Sequence, residues 1–450
     1  MAEAGASQGT VSLWKVPGFP ETMVAVAAAF GAWSLLLPVL PMAVLDAGGS
    51  NTLAGGSTGA FMAATVITQM FTPWLLSRFG YRPVMAVAAG MLGIPALGHL
   101  LGMEVWQVLL FSALRGVGFG ALTVAESALI AELVPLRLLG KATGTMGLFI
   151  GLSQMIFLPV GLAMAENISF ASTYYTAAAI ACLAVVMCLR LPSVHPRSGG
   201  ESETAEAPRA STWKLVIVPA LALTTLSMSY GVVSSFLPAS VREIDPETGA
   251  VLGGLMLSIV GGSVMVSRLF AGVVADRLGE PGHLYIPAQV IGGVGMLLMA
   301  AAMVNGWSVW WMVLASVFFG IAFGIAQNEA LLSMFNRLPR SKISQASAVW
   351  NIFYDAGTGL GSVVLAALVT GYGYAGAYGA GGVIILAGIL MTGLDTILGR
   401  HRVAEIDNIR TRLRRLRKAP ARNQRRTGTR TEELKKNTLD NVNNVNKELD

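Results

Sequence analysis

The chain has 450 residues, 54% hydrophobic and only 12% charged, whereas an ordinary soluble domain is about a quarter charged; a soluble globular fold is excluded for most of its length. The net charge of +6 does not point to nucleic acid, because 15 of the 31 Lys and Arg residues lie at or after Arg400. What remains is poor enough in charge to sit in lipid, where each spanning helix needs about 20 mostly apolar residues.

In chain order, residues 1–21 carry Lys15 but no apolar core before Met23, so no cleavable signal is expected and the first span should act as its own insertion signal. Apolar segments follow near 22–45, 53–76, 82–103, 106–132, 142–164, 168–190, 214–238, 249–274, 283–303, 307–334, 343–370 and 374–396. Between the sixth and seventh, residues 192–213 are rich in Ser, Glu, Pro and Gly and read as a cytoplasmic linker. The predicted fold class is an all-α polytopic membrane protein, with six-helix halves at 22–191 and 214–399 and a basic tail at 400–450. Basic residues crowd the even-numbered connections (Arg78, Arg82, Arg137, Lys141, Arg337, Lys342), while the opposite side holds Arg242 alone. The positive-inside rule then places both termini in the cytoplasm. Compact loops and Ala/Gly-rich spans point to a bacterial inner membrane.

The halves repeat one another. Phe30-Gly31-Ala-Trp-Ser34-Leu-Leu-Leu-Pro38 is echoed about 200 residues on by Tyr230-Gly231-Val-Val-Ser234-Ser-Phe-Leu-Pro238. Ser77-Arg78 is echoed by Asp276-Arg277, and Gly118-Phe119-Gly120 by Ala322-Phe323-Gly324. In the tail, Ile406, Ile409, Leu413 and Leu416 recur at helical spacing among Arg410, Arg412, Arg414 and Arg415, the pattern of a basic amphipathic helix on an anionic leaflet.

Polar residues inside the spans are the candidate machinery, since an ionisable group in hydrocarbon is expensive and should face the bundle interior. Arg115 lies in the fourth span, with Glu126 three helical turns on and sharing its face. The tenth span offers Gln327, Asn328 and Glu329, and the eleventh Asn351 and Asp355, four apart and stacked. Buried carboxylates resist ionisation and can exchange protons near neutral pH. Asp355 ranks first as proton carrier, then Glu329, then Glu126. Pro38, Pro41 and Pro238 should bend their helices. His99, His195, His283 and His401 lack metal-ligand spacing, Cys182 and Cys188 make no disulfide framework, and no nucleotide-binding Gly-x-x-x-x-Gly-Lys-Ser/Thr loop occurs. Neither an enzyme nor a cofactor or metal is expected.

Gly272-Val-Val-Ala-Asp276-Arg277-Leu-Gly279 resembles the loop signature of the major facilitator superfamily, and Pro73-Trp-Leu-Leu-Ser77-Arg78-Phe-Gly80-Tyr81-Arg82 is its degraded first-half copy, with Ser77 in place of Asp. Pro38-Val-Leu-Pro41 and Arg115-Gly-Val-Gly-Phe-Gly120 resemble signatures of the twelve-span drug:proton antiporter branch; the fifth-span signature of that branch is only partly met, by Gly147, Gly151, Pro159 and Gly161. The resemblance implies twelve helices in two pseudo-symmetric halves, alternating access, and a cytoplasmic latch around Asp276, with Arg268 two turns above it joining the network. Arg115 would tune proton movement. The implied function is a proton-coupled exporter of a small amphipathic drug or metabolite, with protons and membrane lipid as partners, no nucleic acid, and a monomeric state. Uptake of a small polar solute, suggested by Gln69, Gln154, Gln327, Asn328 and Asn351, is the alternative; a non-transporting sensor is a third.

Overall fold

A computed structural model describes residues 12–196, 212–279, 281–338 and 340–398. Most of the linker and the whole basic tail, with its expected amphipathic helix, lie outside the described residues. Within them, twelve helices are long and apolar enough to cross a membrane: Phe19–Asp46, Gly56–Phe79, Tyr81–Leu101, Val105–Leu133, Leu136–Asn167, Phe170–Leu189, Leu215–Ile244, Leu255–Leu278, Tyr285–Val304, Val309–Arg337, Ile343–Val369 and Gly371–Asp395. They are called spans 1 to 12 below. Helices are the form such runs must take, because hydrocarbon offers no partner to a free backbone N–H or C=O.

Local breaks follow from particular residues. Span 1 is two helices, Phe19–Leu36 and Val39–Asp46, with Pro38 at the junction. Pro41 lies inside the second piece and Pro238 inside the continuous helix Thr212–Ile244, so of the three expected bends only the one at Pro38 interrupts a helix. Span 3 tightens into a 3-10 helix over Ile94–Leu101. In that register the Leu92 carbonyl would be met by the N–H of residue 95, but Pro95 has none; Arg115 Nε donates to Leu92 O instead, at 3.0 Å. Asp245 caps the helix Pro246–Leu278 by accepting from Glu247 N (3.1 Å) and Thr248 N (3.0 Å). Hydrogen bonds from Thr248, first its side chain and then its backbone, hold this carboxyl below its ordinary range.

The repeat seen in sequence is a repeat in packing. A Cβ on Gly116 or Gly120 of span 4 would strike the carbonyls of Phe61 and Thr65 on span 2. In the second half, Gly320 and Gly324 of span 10 meet Val260 and Val264 on span 8 in the same way. Close backbone approach through small residues is how lipid-embedded helices associate when no hydrophobic force separates them from solvent. The echoed aromatics also correspond: Phe30 meets Phe119 at 5.6 Å between ring centroids, and Tyr230 stacks on Phe323 at 4.7 Å. Trp307, Trp310 and Trp311 stand partly exposed at the start of span 10, where an aromatic belt meets the membrane surface.

The halves join along span 5 against span 8, and along span 11 against spans 2 and 4. Gly140 and Gly272 touch backbone to backbone. These contacts gather toward the end of the bundle that carries the start of span 1 and the end of span 12.

Candidate substrate path and gate

From the joined end inward, the first layer is Asp276, at the end of span 8. Its carboxylate accepts from Gly140 N (2.8 Å) and Lys141 N (2.6 Å), the first-turn amides of the helix Leu139–Asn167 in the other half. A carboxylate there satisfies orphan donors and meets the positive end of the helix dipole. Gly272 is needed one turn back, since a side chain would collide with Gly140 O. Gly279, at φ 72°, closes the helix in the left-handed region that favours glycine. Arg277 points outward and is exposed.

The first-half loop is built differently. Ser77 Oγ turns back onto Trp74 O (2.8 Å) in its own helix, and Arg78 and Arg82 are exposed. Gly80, at φ 81°, packs against Val194 and His195 at the beginning of the linker. Serine is too short to reach across the bundle, so the pseudo-symmetric cap has no first-half counterpart among the described residues.

The second layer is neutral and polar. Thr143 Oγ1 donates to Asn328 Oδ1 at 2.9 Å, Ser347 Oγ donates to Val124 O at 2.8 Å and pairs closely with Ser127, and Asn351 Nδ2 donates to Thr123 O at 3.2 Å. Each bond crosses between halves. Deeper still, Gln69 Nε2 on span 2 donates to Asp355 Oδ2 on span 11 at 2.6 Å and approaches Thr123 Oγ1 at 3.4 Å. The carboxylate first in rank as a proton carrier therefore lies on the seam.

Glu126 and Arg268, of opposite charge and from opposite halves, are both buried, and neither Glu126 Oε2 nor Arg268 Nε has a hydrogen-bond partner among the described residues. The guanidinium lies over Gly147, where a Cβ would come within 2.7 Å of Arg268 Cζ. Arg268 thus sits with Glu126 in a layer of its own, and not in the Asp276 cap as its spacing suggests. Glu329 also differs from expectation: its carboxylate is bonded to the Gly282 amide and to that of Leu284, ahead of the helix Tyr285–Val304 in its own half. Gln327 contributes its backbone, accepting from Trp350 Nε1 at 3.1 Å.

Beyond the seam, Trp350, Tyr354, Phe323 and Tyr230 form a stacked ladder on the second half. On the first half, Trp33 stacks on Phe119 at 4.9 Å, and Phe61 meets Phe119 at 5.4 Å. Trp33, Phe61 and Arg115 line a small open cleft between spans 1, 2 and 4. It lies toward the end opposite the joined one. Sequence reasoning named Gln69 but not its bond to Asp355, and missed Trp33, Phe61, Ser112, Thr143 and Ser347. Only the repeat signal at Phe30 and Phe119 hinted at the aromatic layer.

Two six-helix repeats, held together at one end by separable polar bonds around a partly buried carboxylate and cleft at the other, define a secondary transporter working by alternating access. The chain belongs to the major facilitator superfamily, whose match covers residues 22–362. It is similar to the multidrug resistance protein MdtG of Enterobacter lignolyticus, 26% identical over 377 residues that cover 81% of this chain and 88% of that protein. It is also similar to the multi-drug resistance efflux pump PmrA of Streptococcus pneumoniae, 25% identical over 356 residues, or 76% of this chain and 86% of that protein. Among solved structures it shares its fold with the proton:xylose symporter XylE, at TM-score 0.71 and 16% identity, over 89% of this chain and 98% of that one. The protein is accordingly a multi-pass membrane transporter of a small-molecule substrate, in a family of transporters rather than enzymes.

Proposed function

We propose that the protein exports small amphipathic compounds from the cytoplasm in exchange for protons, in a bacterial inner membrane with both termini inside. The observation that carries this reading is the Gln69–Asp355 bond: a partly buried carboxylate on the seam, accepting from the opposite half. The relatives named for multidrug resistance and efflux support the direction of transport. With the termini inside, the joined end is the cytoplasmic gate and the cleft faces outward.

In this state a proton entering from outside reaches Asp355. Neutralising the carboxylate weakens a charge-assisted hydrogen bond and lets span 11 part from span 2. The Asn351, Ser347 and Asn328 bonds then open in series, and Asp276 leaves the helix end at Gly140. Release of the proton inward and loading of substrate restore the outward form. Proton flux in energised inside-out vesicles tests the scheme, with cationic drugs, amino acids, sugars and organic acids added singly. A compound that dissipates the gradient only with intact protein, and not with Asp355→Asn, is the expected result. Equal dissipation by both proteins removes Asp355 from the proton path, and silence across the panel removes antiport.

A further inference from the structure

The cleft between spans 1, 2 and 4 offers hydrogen-bond donors and lacks acceptor groups to match them. Arg115, on span 4, is 3% exposed and lines the cleft. Of its five N–H donors, the one on Nε is taken by Leu92 O. The guanidinium also lies 5.7 Å from the centre of the Phe61 ring, at the cleft wall. Among the described residues no carboxylate pairs with it, and no Asp or Glu lines the cleft.

Two further lining groups point the same way. Ser112 Oγ, on a residue 1% exposed, and Trp33 Nε1 are both buried and have no hydrogen-bond partner. An indole N–H and a guanidinium can only donate, and a hydroxyl is able to. Ser57, the other buried hydroxyl of the wall, is already spent on Ala54 O at 2.7 Å. Around these donors stand Trp33, Leu36 and Phe61, an apolar wall beside the polar groups. A buried, unpaired cation is costly, and so is a buried donor without an acceptor. A ligand that brings a negatively charged acceptor on an apolar body removes both costs together.

We propose that this cleft recognises an acidic amphipathic compound, an aryl or alkyl carboxylate or a like anion, with Arg115 as its charge partner and Ser112 and Trp33 as supporting donors. The assignment rests on the exporter reading and names its substrate class. A lipophilic cation, by contrast, would meet Arg115 with no carboxylate to offset it.

The test uses full-length protein in lipid nanodiscs and three probes of one shape: 2-naphthoate, 2-naphthamide and protonated 2-naphthylmethylamine, titrated by calorimetry. Naphthoate should bind at least about tenfold more tightly than the amide, as a charge-assisted bond implies, with the amine weakest. Arg115→Gln should erase the preference and Arg115→Lys keep part of it, while Ser112→Ala should weaken naphthoate several-fold. The order in the unmodified protein decides the matter even where a variant fails to fold. Equal affinities, a reversed order, no binding of any probe, or a preference that survives in folded Arg115→Gln would overturn the assignment. Proton-coupled efflux of the amine without naphthoate binding would leave the exporter standing and remove this proposal. Naphthoate binding in the expected order without proton movement would do the reverse.

Discussion

Asp276 and Gly140 meet across the two halves of the transporter: the carboxylate of one accepts the amide N–H of the other at 2.8 Å, with Lys141 N beside it at 2.6 Å. The bond fastens the end of span 8 to the beginning of span 5, at the end of the bundle where the halves are closed. Asp276→Asn keeps an acceptor but removes the charge, and charge-assisted bonds contribute roughly 1.5–3 kcal/mol. The joined conformation should lose about 2 kcal/mol relative to its opposite. A cysteine placed at Ala348, buried on the turn of span 11 between Ser347 and Asn351, in a background lacking Cys182 and Cys188, reports this. Its labelling by a water-soluble maleimide should accelerate by tenfold or more in the variant; an unchanged rate would show that Asp276 does not hold the gate.

The Gln69–Asp355 bond separates coupling from carriage. Asp355→Asn should abolish proton-driven accumulation but leave substrate exchange across the membrane at equilibrium within a few-fold of normal. Gln69→Leu keeps the carboxylate and should shift the pH profile of transport without removing proton dependence. Loss of exchange in a folded Asp355→Asn protein would assign the residue to substrate.

Glu329 should behave as a structural carboxylate. It is bonded to the Gly282 amide of its own half, and a hydrogen bond to a charged group contributes about 1.5–3 kcal/mol. Glu329→Gln should lower the unfolding temperature in detergent by a few degrees and preserve the proton-to-substrate ratio, read by paired flux measurements. A changed ratio would return it to the list of proton carriers.

Arg337 on span 10 forms an ion pair with Asp395 on span 12 and donates to Leu215 O on span 7 at 3.2 Å. Asp395 is buried and Arg337 largely so, so breaking the pair leaves a cation with little solvent. Asp395→Ala should destabilise by about 3 kcal/mol, and the double replacement Arg337→Met with Asp395→Leu should recover much of that loss. Thermal unfolding of the purified protein distinguishes them.

The interlocking glycines give a paired comparison. Gly120→Ala and Gly324→Ala each push a Cβ into a neighbouring carbonyl, of Thr65 and Val264 respectively, and should cost about 1–3 kcal/mol each. Gly261→Ala, with nothing within 4 Å of the added atom, should be neutral or stabilising by up to about 1 kcal/mol. Similar losses at all three sites would show that the penalty does not come from helix contact.

The sequence by itself determined the spans, their grouping into halves and their internal repeat, because each depends on local properties. A run of apolar residues in lipid has no choice but to close its own hydrogen bonds, and a polar stretch between such runs has none but to leave. The repeat was readable even in its spacing: the loop copies and the glycine contacts of spans 2 and 8 share one offset, and those of spans 4 and 10 a slightly longer one. The roles of the buried polar residues were not readable. Glu126, Glu329 and Asp355 are alike in sequence, as carboxylates in apolar helices. Tertiary structure seats one beside Arg268, one on the beginning of span 9 and one against Gln69 on the seam. Helical spacing gives the face on which a side chain stands. Which neighbour covers that face depends on how distant helices pack, and that packing alone decides whether a carboxylate caps a helix, balances a cation or bridges two moving halves.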